Sequence, residues 1–243
     1  MQPAQTGSYS ATARTTPTRL RERAGYQADA VHAVLDEALI CHLGFVVDGE
    51  PVVLPTIHAR VGQTLYVHAS SGARLVRSIP DDGLPVCVTV TLLDGLVLAR
   101  SHFHHSMNYR SVVAHGRAHL VSDPRERAEA LAAIVEHVAA GRSVLTRGPD
   151  AKELAATAVL RLPLNEVSLK SRSGPPKDDE PDLDLPFWAG EMPVHTSYGP
   201  PMPAPDLAAH AAAVPDHVRG YRRPVGARPS AGSGPDQRSA ASG

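Results

Sequence analysis

Aromatic residues are scarce: Phe, Trp and Tyr make up 4% of the 243 residues, and Trp188 is the one tryptophan. The core must then be built from Val, Leu and Ala, and an apolar content of 42% supplies enough of them. Cysteine is nearly missing as well. Cys41 and Cys87 each lie inside an apolar strand-like run and neither has a CxxC neighbour. That excludes a disulfide framework and reads as buried, reduced thiols. No sign of charge dominates: the formal net charge is −1 with both signs mixed. Bulk electrostatics therefore favour neither nucleic acid nor an anionic membrane as partner. No apolar run has the length that spans a bilayer, and the first 26 residues lack the apolar segment of a secretory signal. A soluble, cytoplasmic protein is expected. The chain also lacks G-x-G-x-x-G and any βαβ alternation, which argues against a dinucleotide-binding Rossmann domain.

Composition divides the chain in three. Residues 1–17 form a Ser/Thr/Arg-rich leader and residues 199–243 a Pro/Ala/Gly-rich tail with few large apolar residues, so both are expected to be disordered. The ordered body, 18–198, opens with a helix over "AVHAVLDEAL", with Asp29 as its expected cap. Strands follow: "ICHLGFVV" and "PVVLPTIHA" around Asp48-Gly49, then "TLYVHA", then "LPVCVTVTLL" and "LVLARS" around Asp94-Gly95. Both Asp-Gly pairs predict hairpins. "YRSVVAHGRAHLV" predicts a long strand with a bulge at Gly116. A helix starts at Asp123-Pro124, with Glu126 expected to complete a capping box. "TAVLRLPL" and "EVSLKSR" close the pattern. About seven strands joined mostly by hairpins indicate a mainly β protein, an antiparallel barrel with flanking helices.

Three constellations carry chemistry. "HFHH" places His102, His104 and His105 in a loop, but adjacent histidines point apart in extended backbone and no carboxylate or cysteine stands near them. They are expected to line a polar pocket, and no metal site is assigned. "LYVHASSGARLVRSI" leads a strand into a short helix; its free N–H groups, Ser70, Ser71, Gly72 and Arg74 suit a phosphate. "SMNYRSVV" offers Arg110 either as a second phosphate-binding cation or as the partner of a buried carboxylate. Pro55, in mid-strand, removes a ladder donor, so this strand is an edge or its pairing is interrupted there, leaving nearby main-chain groups for a heterocycle. Trp188, in "LPFWAGEMPV", either pins a terminal segment or lids a pocket.

With these residues in view, the chain resembles the pyridoxamine 5′-phosphate oxidase-like superfamily, in the branch of flavin-nucleotide-binding proteins that includes the nitroimidazole-resistance reductases. The resemblance rests on "VLDEALICHLGFVVDGEPVVLPTIHAR", "LYVHASSGARLVRSI", "VCVTVTLLDGLVLARSHFHHSMNYRSVVAHGRA" and "LPFWAGEMPV". It implies an FMN-binding split β-barrel of six to seven strands, homodimeric, with cofactor sites at the interface. It further implies that Pro55 and Thr56 lie along the isoalloxazine edge. His68, Ser70, Ser71 and Arg74 then form the phosphate segment, Ser106, Asn108, Tyr109, Arg110 and Ser111 a second ligand-binding segment, and Trp188 stands near the ring. Many relatives carry a doubly basic patch in the phosphate helix; Arg74 stands alone here unless Arg77 supplies the second charge. The residues that mark a vitamin B6 substrate in the true oxidase are not visible. The expected function is an FMN-dependent oxidoreductase passing electrons from a reduced nicotinamide to a small acceptor, with His58, His102 and His104 as candidate proton carriers. The alternative is a non-catalytic flavin- or haem-binding protein on the same barrel, and FAD or a deazaflavin could replace FMN.

Overall fold

The computed structural model describes residues 7–208 and 213–226. The parts of the leader and tail expectations that fall on 1–6, 209–212 and 227–243 lie outside the described residues. Residues 7–17 run along the barrel, where Tyr9 Oη donates to Gln63 at 2.6 Å and Arg14 pairs with Glu166. Residues 213–226 lie against two helices, as set out below.

Nine strands form the sheet among the described residues, and six of them close a ring. Strands β2 (Ile40–Val47) and β3 (Glu50–Val61) make the first hairpin, and β4 (Thr64–Ser70) follows β3. The long strands β5 (Leu84–Leu98) and β6 (Ser106–Leu120) pair along their length. Strand β7 (Thr157–Pro163) joins β4 to β6, and β2 joins β3 to β5, so the circuit is β2–β3–β4–β7–β6–β5. Outside the ring, β8 (Glu166–Arg172) extends β6 and pairs with the two-residue β1 (Ala24–Gly25), while β9 (Gly190–Pro193) extends β5. All pairings are antiparallel. The fold is the mainly β barrel with flanking helices read from the sequence, its ring of six strands enlarged by three additions.

Inside the ring, alternation does the work. In β2, Cys41, Leu43, Phe45 and Val47 point inward, while Ile40, His42 and Val46 face out. They meet Val86, Val88, Val90, Val112, Leu160 and Leu162 in one continuous apolar core. Helix α1 (Ala28–Glu37) covers one opening with Val31, Val34 and Leu35. Helix α3 (Pro124–Val138) packs across β3 and β4. Burial pushes the Cys41 thiol up to about 12, so it stays a neutral small hydrophobe.

Several local expectations need correction. Asp48 and Gly49 both have positive φ and form the expected hairpin turn. Asp94-Gly95 does not turn the chain: β5 runs straight through it with a register shift between Leu93 and Gly95. The extra residue of this bulge frees Asp94 from the ladder. Gly116 is not a bulge, for its register is unbroken; a Cβ there would lie 2.6 Å from Leu162 Cδ1, so any side chain would require that leucine to shift. The cap of α1 is Gln27, with Asp29 inside the first turn. Asp123 does cap α3, accepting from Arg125 and Glu126 N–H, but the Glu126 carboxylate bonds Tyr66 and Arg161 instead of reaching back. Helix α2 is a single turn, Arg74–Arg77, with Ala73 as its cap.

Candidate functional site

The ring splits at one place. Strand β4 pairs with β3 only over His58–Val61, whereas β2 pairs with β3 over Glu50–Ile57. The far edge of Glu50–Ile57 therefore has no strand neighbour among the described residues, and His68–Ser70 of β4 pair with β7 alone among them. Pro55 lies on that open stretch, opposite His42, where its missing N–H costs no ladder bond. Pro55 and Thr56 thus form one lip of the split and His68, Ser70, Ser71 and Arg74 the other. Ser71 N–H donates to Ala156 O at 2.9 Å, tying this lip to α4 (Ala151–Ala156). Arg74 reaches back across the split to Asp48 at 2.6 Å, an exposed pair. Because α2 is one turn with Ala73 at its cap, the phosphate-binding helix terminus expected from the sequence is absent. Hydroxyls and one guanidinium remain.

The second group forms apart from the first. Register runs from Asp48 toward Ile40 along β2, and correspondingly from Gly116 toward Asn108 along β6. Ser106, Asn108, Tyr109, Arg110 and Ser111 therefore lie at the end of the sheet opposite Arg74. There, Arg110 is 3% exposed and its guanidinium is shared between Glu37 at 2.6 and 2.9 Å and Asp94 at 2.8 and 2.9 Å. Hydrogen bonds to Asp94 and Glu37 raise its pKa further. This corrects the phosphate reading of Arg110: four of its five N–H donors go to two carboxylates, and it holds the Asp94 bulge to the end of α1. Asn108, also buried, donates to Glu191 at 2.5 Å and accepts from Arg172. Ser111 Oγ donates to Lys170 O at 3.3 Å. Ser106 and Tyr109 are half-buried. Trp188 is 68% exposed, and its ring lies over Gly190, where a Cβ would come within 2.9 Å.

The histidines divide similarly. His105 donates through Nδ1–H to Ser101 O at 2.8 Å. His104 lies 3.1 Å from Asp179. His58 is fully buried, bonded to Leu35 O at 2.9 Å, with the tilted ring of His137 4.8 Å away. Burial lowers its pKa to about 4 and lowers that of His137. A proton carrier needs access to substrate, and His58 has none, so that expectation is withdrawn.

Sequence reasoning missed a third feature. Residues Val194–Tyr198 and Tyr221–Val225 fold over β2 and β5 and enclose a cavity of about 700 Å³ whose floor includes Ile40, Thr91 and Leu93. The outer segment is pinned by Arg223, which donates to the carbonyls of Asp36, Glu37 and His137. Those are the orphan carbonyls at the C-terminal ends of α1 and α3, so one guanidinium caps two helices. Tyr221 Oη donates to Val138 O, and Gly226 N–H to Glu37 at 2.8 Å. No periodicity marks such a segment; the Pro-rich composition conceals it.

The comparisons agree with this architecture. Residues 27–171 match the pyridoxamine 5′-phosphate oxidase family model. No curated protein matches the chain. The flavocytochrome Anf3 of Azotobacter vinelandii is 39% identical, with a TM-score of 0.82 over 87% of this chain and 98% of its own. An FAD- and haem-binding protein of Mycobacterium smegmatis is 36% identical, with a TM-score of 0.77 over 84% of this chain and 98% of its own. A protein named for 5-nitroimidazole antibiotic resistance, from Bacteroides thetaiotaomicron, shares the fold at 21% identity, with a TM-score of 0.50 over 59% of this chain and 83% of its own. No helix among the described residues is long and apolar enough to cross a membrane. A six-stranded ring split beside β3, a family match over most of the barrel and two relatives above 30% identity together place the chain in the pyridoxamine 5′-phosphate oxidase-like split-barrel family.

Proposed function

We propose that this protein is a flavin-dependent electron-transfer protein. It binds FAD along the open stretch of β3, receives reducing equivalents from a reduced nicotinamide, and passes them to haem held as a second redox group. The observation that carries the reading is the unpaired edge of Glu50–Ile57. Main-chain N–H and C=O groups left without a strand neighbour suit the polar edge of an isoalloxazine, and Pro55 keeps the edge from capturing another strand. Across the split, Ser70, Ser71 and Arg74 offer hydroxyls and a cation to a phosphate. The Arg74–Asp48 pair is exposed on both sides and contributes about 0–1 kcal/mol, so a phosphate displaces Asp48 at little cost. When bound there, flavin supplies hydride acceptance and onward electron transfer; the chain supplies orientation and exclusion of water. FAD is preferred to FMN, and haem is included, because a relative 36% identical over most of the chain is named for both.

A homodimer is part of the proposal. In one chain, Arg74, at the phosphate end of the split, and the Asn108–Trp188 group stand at opposite ends of the sheet. A two-fold partner brings the second group of one copy toward the split of the other. Between them lies an outward face on β2 and β3 where Val46 and Val53 are 57 and 62% exposed, and a two-fold partner would take both out of water.

Titrating the purified protein with FAD and FMN, and recording the visible spectrum before and after anaerobic addition of a reduced nicotinamide, tests this. A bound flavin band, tighter with FAD, weakened at least fivefold by Arg74→Ala and bleached by the nicotinamide is expected. No flavin uptake would sink the proposal, and uptake without bleaching would remove the nicotinamide step.

A further inference from the structure

The family model ends at residue 171, and the nitroimidazole-resistance protein aligns with 59% of this chain, whereas the flavocytochrome aligns with 87% and the FAD- and haem-binding protein with 84%. The family model leaves residues 172–243 outside it, and part of that stretch, Val194–Tyr198 and Tyr221–Val225, lines the cavity. We propose that this cavity is the haem site, with His195 as an axial ligand and Arg222 as the cation that receives the propionates.

Size comes first. About 700 Å³ is within the range of cofactor pockets, and it far exceeds the roughly 150 Å³ hollow beside Asn108 and Arg172. The wall chemistry also fits. Leu39, Ile40, Leu92, Leu93, Val194 and Val225 give apolar faces for a macrocycle, and His195 is the one imidazole in the lining. Arg222 lines the same cavity, is exposed, and makes no ion pair among the described residues. The Glu37 and Asp94 carboxylates in the same lining are engaged by Arg110, so an apolar face, one imidazole and the Arg222 cation near solvent are what it offers a haem with two carboxylates.

Position relates the cavity to the flavin. Ile40 on its floor pairs with Ile57, next to Thr56 on the open lip of the split. A group in the cavity is thus one strand away from the proposed ring edge, about 5 Å by strand spacing. The enclosing segment is held firmly rather than loosely: Arg223 caps α1 and α3, and Tyr198 and Tyr221 meet edge-to-face at 4.7 Å. The histidine loop at 102–105 lies elsewhere, beside Asp178 and Asp179, and is not part of this pocket.

The inference rests on the flavin-and-haem reading, and the experiment separates their failures. Full-length protein freed of cofactor is loaded with hemin and FAD, and both are counted by absorbance, haem by its pyridine complex. The variants are His195→Ala, His195→Met, Arg222→Ala and His105→Ala, each checked for folding by circular dichroism. Expected results are at least a tenfold loss of haem in His195→Ala with flavin content unchanged, recovery on adding free imidazole, and a shifted Soret band in His195→Met. Arg222→Ala should weaken haem about three- to tenfold, and His105→Ala should match the parent. Wild-type spectra in both His195 variants, or haem lost only in His105→Ala, overturn the cavity assignment while leaving flavohaem function standing. Flavin uptake without any haem uptake by the parent protein overturns the haem reading and this site together; the flavin site survives it.

Discussion

At the scale of single residues, the buried histidine His58 makes the fold sensitive to acid. Its ring is neutral and bonded to Leu35 O, with Arg223 and His137 close enough to disfavour a second proton. Other charges face the pair from every side: Asp36 and Arg60 from α1 and β3, and Arg223 from the outer segment. The folded-state pKa of about 4 lies below the ordinary 6.5, so the unfolded chain binds the extra proton first. Stability from the neutral ring is whole above about pH 6.5 and drains away as pH falls toward 4. The full shift is worth about 3 kcal/mol, and His137 acts in the same direction. Replacing His58 with Gln keeps an N–H for Leu35 and removes the titration. Thermal midpoints measured from pH 7 to pH 4 should fall less steeply in His58→Gln than in the parent; equal slopes would show that the fall originates elsewhere.

At the scale of elements, the demanding contact is between β6 and β7. Gly116 sits where β6 leaves β8, its partner up to His115, and takes up β7 at His119. Leu162, 4% exposed, fills the space that a side chain at 116 would need. Gly116→Ala is expected to cost about 1–3 kcal/mol through overpacking, read from urea midpoints, and Leu162→Val in the same chain should restore part of it. A Gly116→Ala protein as stable as the parent would mean the leucine moves aside freely. The contrast with Asp94 shows what sequence can and cannot disclose. Strand identities, the Asp48-Gly49 turn and the Pro55 interruption were legible because period-2 alternation and backbone chemistry are local. The same Asp-Gly signal misled at 94 because its outcome depends on Arg110 and Glu37, which arrive from distant segments to hold the bulge. Residues Ser70, Ser71 and Arg74 were recognisable beside Pro55 and Thr56 only through the family resemblance. The cavity wall at 221–225 gave no signal, since its anchor is one arginine meeting two helix ends.

At the scale of the whole molecule, the proposed flavin site and the dimer are one equilibrium. If each site needs a lip from one copy and the Asn108 group from the other, flavin binds the dimer and association binds flavin, and each must strengthen the other by linkage. The outward face is the handle for separating them. On β2 and β3, Gly44 stands opposite Val53, with Val46 and Pro51 in the next outward row and His42 and Pro55 in the one before. Val53 is 62% exposed and lies outside the core, so a lysine there leaves the barrel's interior untouched. In an interface, however, it buries an unpaired charge, which costs several kcal/mol. Light scattering should therefore find the parent protein dimeric and Val53→Lys monomeric, with matching circular dichroism. Flavin affinity in the variant should fall at least tenfold and recover at high protein concentration. A monomeric variant that holds flavin as tightly as the parent would assign the whole site to one chain, and the exposed row on β2 and β3 would then need a different partner.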